Sequence, residues 1–143
     1  EQPVAAYDYE GMAVINTRSG IPVAGNENFF DLREFNELLV RKSVTFVQFD
    51  LAMVGGISEG LRIDSAARAW FSPTTIHSAG SIVCMAASLH LAAALSNCES
   101  LEYHMLHSWL FECAPEAFLA VQNSHVRLLD NPGLGLDLDP GHF

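Results

Sequence analysis

A histidine closes the β-branched run Phe71-Ser72-Pro73-Thr74-Thr75-Ile76-His77, just before a long stretch of small apolar residues. A strand ending there delivers an imidazole to the rim of a sheet, where it can take or give a proton near neutral pH. Asp50 lies 27 residues earlier, at the end of Val44-Thr45-Phe46-Val47-Gln48-Phe49. Glu27 stands 23 residues before Asp50, Glu1 a further 26 back, and Glu102 25 residues beyond His77. One strand-loop-helix-loop repeat of a parallel (β/α) barrel has about this length, and residues at the carboxyl ends of its strands converge on one site. A lone histidine at a strand end is more often a hydrogen-bonded structural group. The carboxylate one repeat earlier tips the balance toward general acid–base catalysis.

The elements that position these groups follow from the hydrophobic pattern. Asp8 to Arg18 holds Met12, Ala13, Val14 and Ile15, a short helix that Ser19-Gly20 terminates. Ile21 to Ala24 reads as a strand, and Gly25-Asn26-Glu27-Asn28 as a turn whose glycine and asparagine tolerate positive φ. Asp31 caps a helix to Arg41, with Leu32, Phe35, Leu38 and Leu39 on its packed face and Arg33, Glu34 and Glu37 on its wet one. Strand Thr45 to Phe49 leads through Gly55-Gly56 to a helix that Ser58 caps and that runs to about Trp70. Strand Ser72 to Ile76, helix Gly80 to Leu95 and strand Leu101 to His104 complete the alternation. Strands alternating with helices predict a parallel sheet covered by helices. Beyond Leu106 the Pro- and Gly-punctuated segment Asp130 to Pro140 excludes a long helix and predicts extended chain packing back on the barrel or onto a missing N-terminal domain. The expected division is 1–110 for the barrel half and 111–143 for this C-terminal segment.

Composition narrows the partners. Half the residues are hydrophobic and 17% charged, a globular balance. A formal net charge of −10, with seven Lys and Arg that do not cluster, argues against nucleic acid and anionic membranes. Ala79 to Leu95 carries His90 and several serines, so we expect a packed helix there and no membrane span. Cys84, Cys98 and Cys113 are odd in number and lack CxxC spacing, which predicts reduced thiols and a cytoplasmic setting.

In their order, Glu1-Gln2-Pro3, Ile21 to Asn28, Val47-Gln48-Phe49-Asp50 with Gly55-Gly56-Ile57-Ser58, His77, Ala87 to Leu95, Leu101-Glu102 and Pro132-Gly133-Leu134-Gly135 resemble the carboxyl-terminal half of an enolase-superfamily enzyme of the mandelate racemase type. The resemblance implies a partial (β/α) TIM-type barrel, from the end of the fourth strand to the eighth. It also implies magnesium held by Glu1 and Glu27, a general base at His77 oriented by Asp50, and an acid at Glu102 that hydrogen-bonds the substrate carboxylate. Asn28, His77 and Glu102 are the implied substrate contacts. Such enzymes use a Lys or His base with one or two magnesium ions. The implied chemistry is removal of the proton α to a carboxylate, followed by dehydration of a sugar acid if the intermediate carries a β-hydroxyl. Racemisation or epimerisation of a 2-hydroxy acid follows instead if a second base reprotonates the opposite face.

A histidine base, with no Lys on the preceding strand, argues against the muconate-lactonizing branch. Asn26 departs from the family, which usually has glycine before its third ligand. The first ligand, an aspartate, and the family's Lys-x-Lys strand have no counterpart here, so we expect the chain to be cut from a larger, homo-oligomeric enzyme and by itself to be inactive and prone to self-association. A truncated, non-catalytic product that acts through assembly is the other class left open. Phe29, Phe30, Trp70 and Trp109 are the expected uncovered aromatics. We expect His90 to be packed, and His104 and His107 to do no more than line the pocket.

Overall fold

Four strands lie side by side in chain order, every neighbouring pair parallel: β1 (Ala24–Gly25), β2 (Phe46–Asp50), β3 (Thr74–His77) and β4 (Cys98–Leu101). The structure, a computed structural model, describes residues 1–106, 109, 120–128 and 130–138. Helix α1 (Tyr9–Arg18) precedes β1, α2 (Leu32–Arg41) joins β1 to β2, α3 (Leu51–Val54) and α4 (Ile57–Ala69) join β2 to β3, and α5 (Ile82–Ala94) joins β3 to β4. This is part of a (β/α) TIM-type barrel. Gln2 donates its N–H to the Ala24 carbonyl at 2.9 Å, so the first residues run beside β1 where a preceding strand would end.

Alternation along the strands separates core from site. Val47, Phe49 and Ile76 are wholly buried and share one core with Phe35, Leu38, Ile63, Ala67 and Leu91 from the helices. Helix α4 comes so near this layer that a Cβ added at Gly60 would lie 2.8 Å from Leu91, 2.9 Å from Leu51 and 3.1 Å from Phe49. Gln48, Asp50, Thr75 and His77 occupy the opposite face, paired Gln48 with Thr75 and Asp50 with His77. Between β3 and β4 the register slips: Thr74 pairs with Cys98 but Thr75 with Ser100, so Glu99 is left unpaired.

Local chemistry sets the boundaries. Asp31 accepts from the N–H groups of Arg33 and Glu34 while Glu34 reaches back to the cap, a full capping box. Asp8 caps α1 by accepting from Gly11 N–H at 2.9 Å, and Ser81 caps α5. Ser58 does not cap α4. Gly55 and Gly56 both hold positive φ, 94° and 104°, ending the unforeseen α3 and starting α4 at Gly56 without a side-chain cap, which leaves Ser58 inside the first turn. The strand expected at Leu101 to His104 lies three residues earlier, because Asn97 already accepts from Thr74 N–H and draws Cys98 into the sheet.

In the tail a two-residue turn at Asn123 and Ser124, both with positive φ, joins β5 (Val121–Gln122) to an antiparallel β6 (His125–Val126). Val126, Leu128, Leu134, Leu136 and Leu138 pack on Ile82, Met85, Ala86 and Leu89 of α5. The expected boundary at 110/111, His107 and Cys113 lie outside the described residues. Among the described residues no helix is long and apolar enough to cross a membrane. Phe29 is not uncovered: it is fully buried, stacked on Tyr7 and edge-on to Phe35. Phe30, Trp70 and Trp109 are exposed.

Candidate active site

Asp50 and His77 are register partners at the carboxyl ends of β2 and β3, and their side chains meet: His77 Nδ1 lies 2.7 Å from Asp50 Oδ2. The other oxygen of Asp50 accepts from the Ala52 N–H at 2.7 Å, so the cap that starts α3 also fixes the carboxylate. Burial pushes Asp50 upward, but the His77 hydrogen bond and the Ala52 N–H outweigh it and hold Asp50 below its ordinary 3.8. The same bond raises His77 above its ordinary 6.5; burial opposes this, and the charges of Glu102, Asp50 and Glu27 add to it. With Nδ1 engaged, Nε2 is the nitrogen left to meet a reactant.

Glu102 follows β4 directly, its N–H donating to the Ile76 carbonyl at 2.9 Å. One of its oxygens lies 3.8 Å from His77 Nε2 and the other accepts from Gln48 Nε2. Gln48 also donates to Glu1 Oε1 at 3.1 Å. Burial, then the charge of Glu1, raises Glu102 above the usual 4.5. A carboxyl group that holds its proton more readily suits hydrogen-bond donation to an anionic substrate. Imidazole, orienting carboxylate and raised acid thus stand on three neighbouring strands. Such a triad can move a proton and carry developing negative charge.

A profile of proteins described as enolase C-terminal domain-like matches residues 1–142. The chain belongs to this family. Its relatives include the D-xylonate dehydratase of Haloferax volcanii, 32% identical over 141 residues, and the arabinonate dehydratase of Saccharolobus solfataricus, 29% identical over 143. These alignments cover 97% and 100% of this chain but 34% and 38% of the relatives, so the chain spans about a third of their length. A crystal structure of a mandelate racemase/muconate lactonizing enzyme-like protein from Rubrobacter xylanophilus superposes with a TM-score of 0.84 at 30% identity, over 98% of this chain and 36% of that one. The enolase-superfamily resemblance of the sequence, and its mandelate racemase type, are thereby established.

Within that family frame, Glu27 follows β1 through Asn26, whose φ of 84° supplies the positive-φ turn for which the family usually has glycine. Asn26 is tied down by Gln2 Oε1, which accepts its N–H, and by Ala6 O, which accepts from Nδ2. One Glu27 oxygen accepts from Asn28 Nδ2 at 3.2 Å; the other is buried with no hydrogen-bond partner among the described residues. A buried carboxylate oxygen lacking a donor is what a hard cation would satisfy, and the donors available here, Glu27 and Glu1, are oxygen ligands of the kind magnesium takes. Among the described residues no three His, Cys, Asp or Glu side chains group as a complete metal site. Asn28 is exposed, its amide turned to Glu27.

Sequence reasoning passed over two neighbours, Gln48 and Cys84. Gln48 bridges two of the carboxylates; its signal was a lone amide two residues before Asp50 in an otherwise apolar strand. His104, expected to line the pocket, sets its ring edge-on to His77, centroids 6.5 Å apart. Cys84 lies with Sγ 4.0 Å from Asp50 Oδ1, and burial raises its thiol pKa. It lines a cavity of about 460 Å³ with Gly55, Gly56, Ser58 and Ser81, and no spacing in the sequence points to it. His90, expected to be packed, is half-buried.

Proposed function

We propose that this chain carries the base and acid of a magnesium-dependent enzyme that removes the proton α to the carboxylate of a sugar acid and then dehydrates it. The observation that carries this reading is the His77–Asp50 pair at 2.7 Å with Glu102 on the far side of the imidazole. The likeness to a D-xylonate dehydratase and an arabinonate dehydratase supports the substrate class.

An α-proton next to a carboxylate is weakly acidic because its removal places a second negative charge on an anion. His77 Nε2 takes the proton and the C–H electrons enter the enediolate; Asp50 stabilises the imidazolium formed. Glu102 donates a hydrogen bond to the substrate carboxylate, strongest as charge develops there. The imidazolium then returns a proton to the departing β-hydroxyl, which leaves as water and gives the enol of a 2-keto acid. Glu1 and Glu27 would hold magnesium, whose chemistry there would be Lewis-acid stabilisation of that carboxylate. The same reading places the enzyme in the cytoplasm and makes it a homo-oligomer when intact.

The test is deuterium exchange and product analysis on a sugar-acid panel that includes xylonate and arabinonate, using the full-length enzyme that contains this chain. Solvent deuterium incorporation with a dehydrated 2-keto product, both lost in His77→Asn, is the expected result. Exchange with epimerised acid as the sole product would turn the assignment to an epimerase. Turnover that survives His77→Asn would overturn it.

A further inference from the structure

The side chain of Gln48 has no role in the chemistry just described, yet it is 1% exposed and sits between two acidic groups. Its amide donates to Glu1 Oε1 at 3.1 Å and to Glu102 Oε1, groups 47 and 54 residues away in the chain. Facing both carboxylates turns its carbonyl oxygen into a buried position with no donor among the described residues. An apolar side chain would fill the same space without that desolvated carbonyl, so packing does not account for the amide. Gln48 lies one layer beneath the Asp50–His77 pair, level with Thr75 and Ser100, whose hydroxyls bond each other at 2.9 Å. That polar layer forms a floor under the ionisable one.

We infer that Gln48 is a positioning residue, a brace that fixes Glu102, the group that meets the substrate carboxylate, against Glu1 across the barrel interior. The inference rests on the reading of Glu102 as the acid. Without the amide, two acidic groups face each other with no bridging donor between them, and Glu102 is free to swing from its place beside His77. The binding groups all remain present, so the loss falls on turnover.

In the full-length enzyme Gln48→Met, similar in length but without donors, is expected to lower kcat by about tenfold to a hundredfold, the range seen when a partner that orients a site ligand is lost, with KM little changed. If Gln48 acts through Glu102, the double variant Gln48→Met, Glu102→Gln is no slower than Glu102→Gln alone, within about twofold. Multiplying losses, or a Gln48→Met enzyme with wild-type kcat, would overturn the brace. A second measurement needs no folded variant at 48. By NMR of glutamine-labelled wild-type enzyme, the Gln48 side-chain amide protons should exchange slowly with water, and magnesium titration should move them. Exchange at the rate of an exposed side-chain amide would refute the brace. Wild-type enzyme without turnover on any sugar acid would remove the dehydratase reading, while this amide signature still decides the geometry.

Discussion

His77 serves as a base only when neutral, and its neighbours keep it charged to higher pH than a free imidazole. The acid limb of kcat/KM in the intact enzyme is therefore expected above 6.5, the ordinary value, and Asp50→Asn should move it down by removing the bond that raises it. Asp50→Asn should lower kcat less than His77→Asn, because the base is still present though misoriented; a fully active Asp50→Asn enzyme would refute the dyad. His77→Asn should leave magnesium affinity by calorimetry near wild type, since the imidazole is not a ligand in this reading. Stability follows the same shifts with a definite sign. The raised His77 contributes fully below 6.5 and loses its contribution as pH rises through its folded value; the lowered Asp50 contributes above 3.8 and loses its contribution as pH falls through its folded value. Raised Glu102 adds a penalty as pH rises through its own folded value, above 4.5. Thermal midpoints measured across pH should thus peak on the acid side of neutrality, and Asp50→Asn should flatten that peak.

At the scale of elements, α4 reaches the sheet only because residue 60 has no side chain. Gly60→Val must displace Leu51, Phe49 and Leu91 together, and overpacking of this kind costs about 1–3 kcal/mol, readable by chemical denaturation. Asp31→Ala removes the side-chain acceptor of the capping box, leaving only the bond from its backbone N–H to Glu34, and should cost about 1 kcal/mol by the same method. The elements that were legible in the sequence are those whose signals are local: Asp31 with its amphipathic repeat, Asp8, and the β-branched runs before Asp50 and His77. Ser58 misled because serine at a loop end is a common cap, while Gly56, with φ of 104°, makes the turn by backbone freedom alone. The β4 position was missed because its pairing depends on Asn97, a contact made across the sheet from β3. Spacing brought out the ionisable groups but not Gln48, since an amide matters here only through the partners that folding brings to it.

The molecule as a whole presents unsatisfied surfaces. Among the described residues the outer edge of β4 has no strand partner, and Phe71 is 95% exposed while held at a φ of 58°. Trp70 lies beside it, half-exposed. Open edges and large exposed aromatics favour association. Residues 1–143 expressed alone should self-associate as concentration rises in sedimentation experiments, bind magnesium weakly and catalyse no α-proton exchange. A stable monomer with magnesium-dependent exchange would refute that reading.

The slip between β3 and β4 has a consequence for comparing chains. Sidedness in a strand is a matter of odd and even counting. Because Glu99 is skipped, Ser100 and Glu102 share a face with Thr75 and His77. Were the count continuous, Thr75 would stand opposite Glu99 and His77 opposite Leu101, leaving a leucine beside the imidazole and the carboxylate turned to the helices. An alignment drawn without a gap against a relative lacking the slip would therefore read Leu101 as the site residue and report the acid missing. Residue 102 can be matched across such chains only after the skipped position has been counted out.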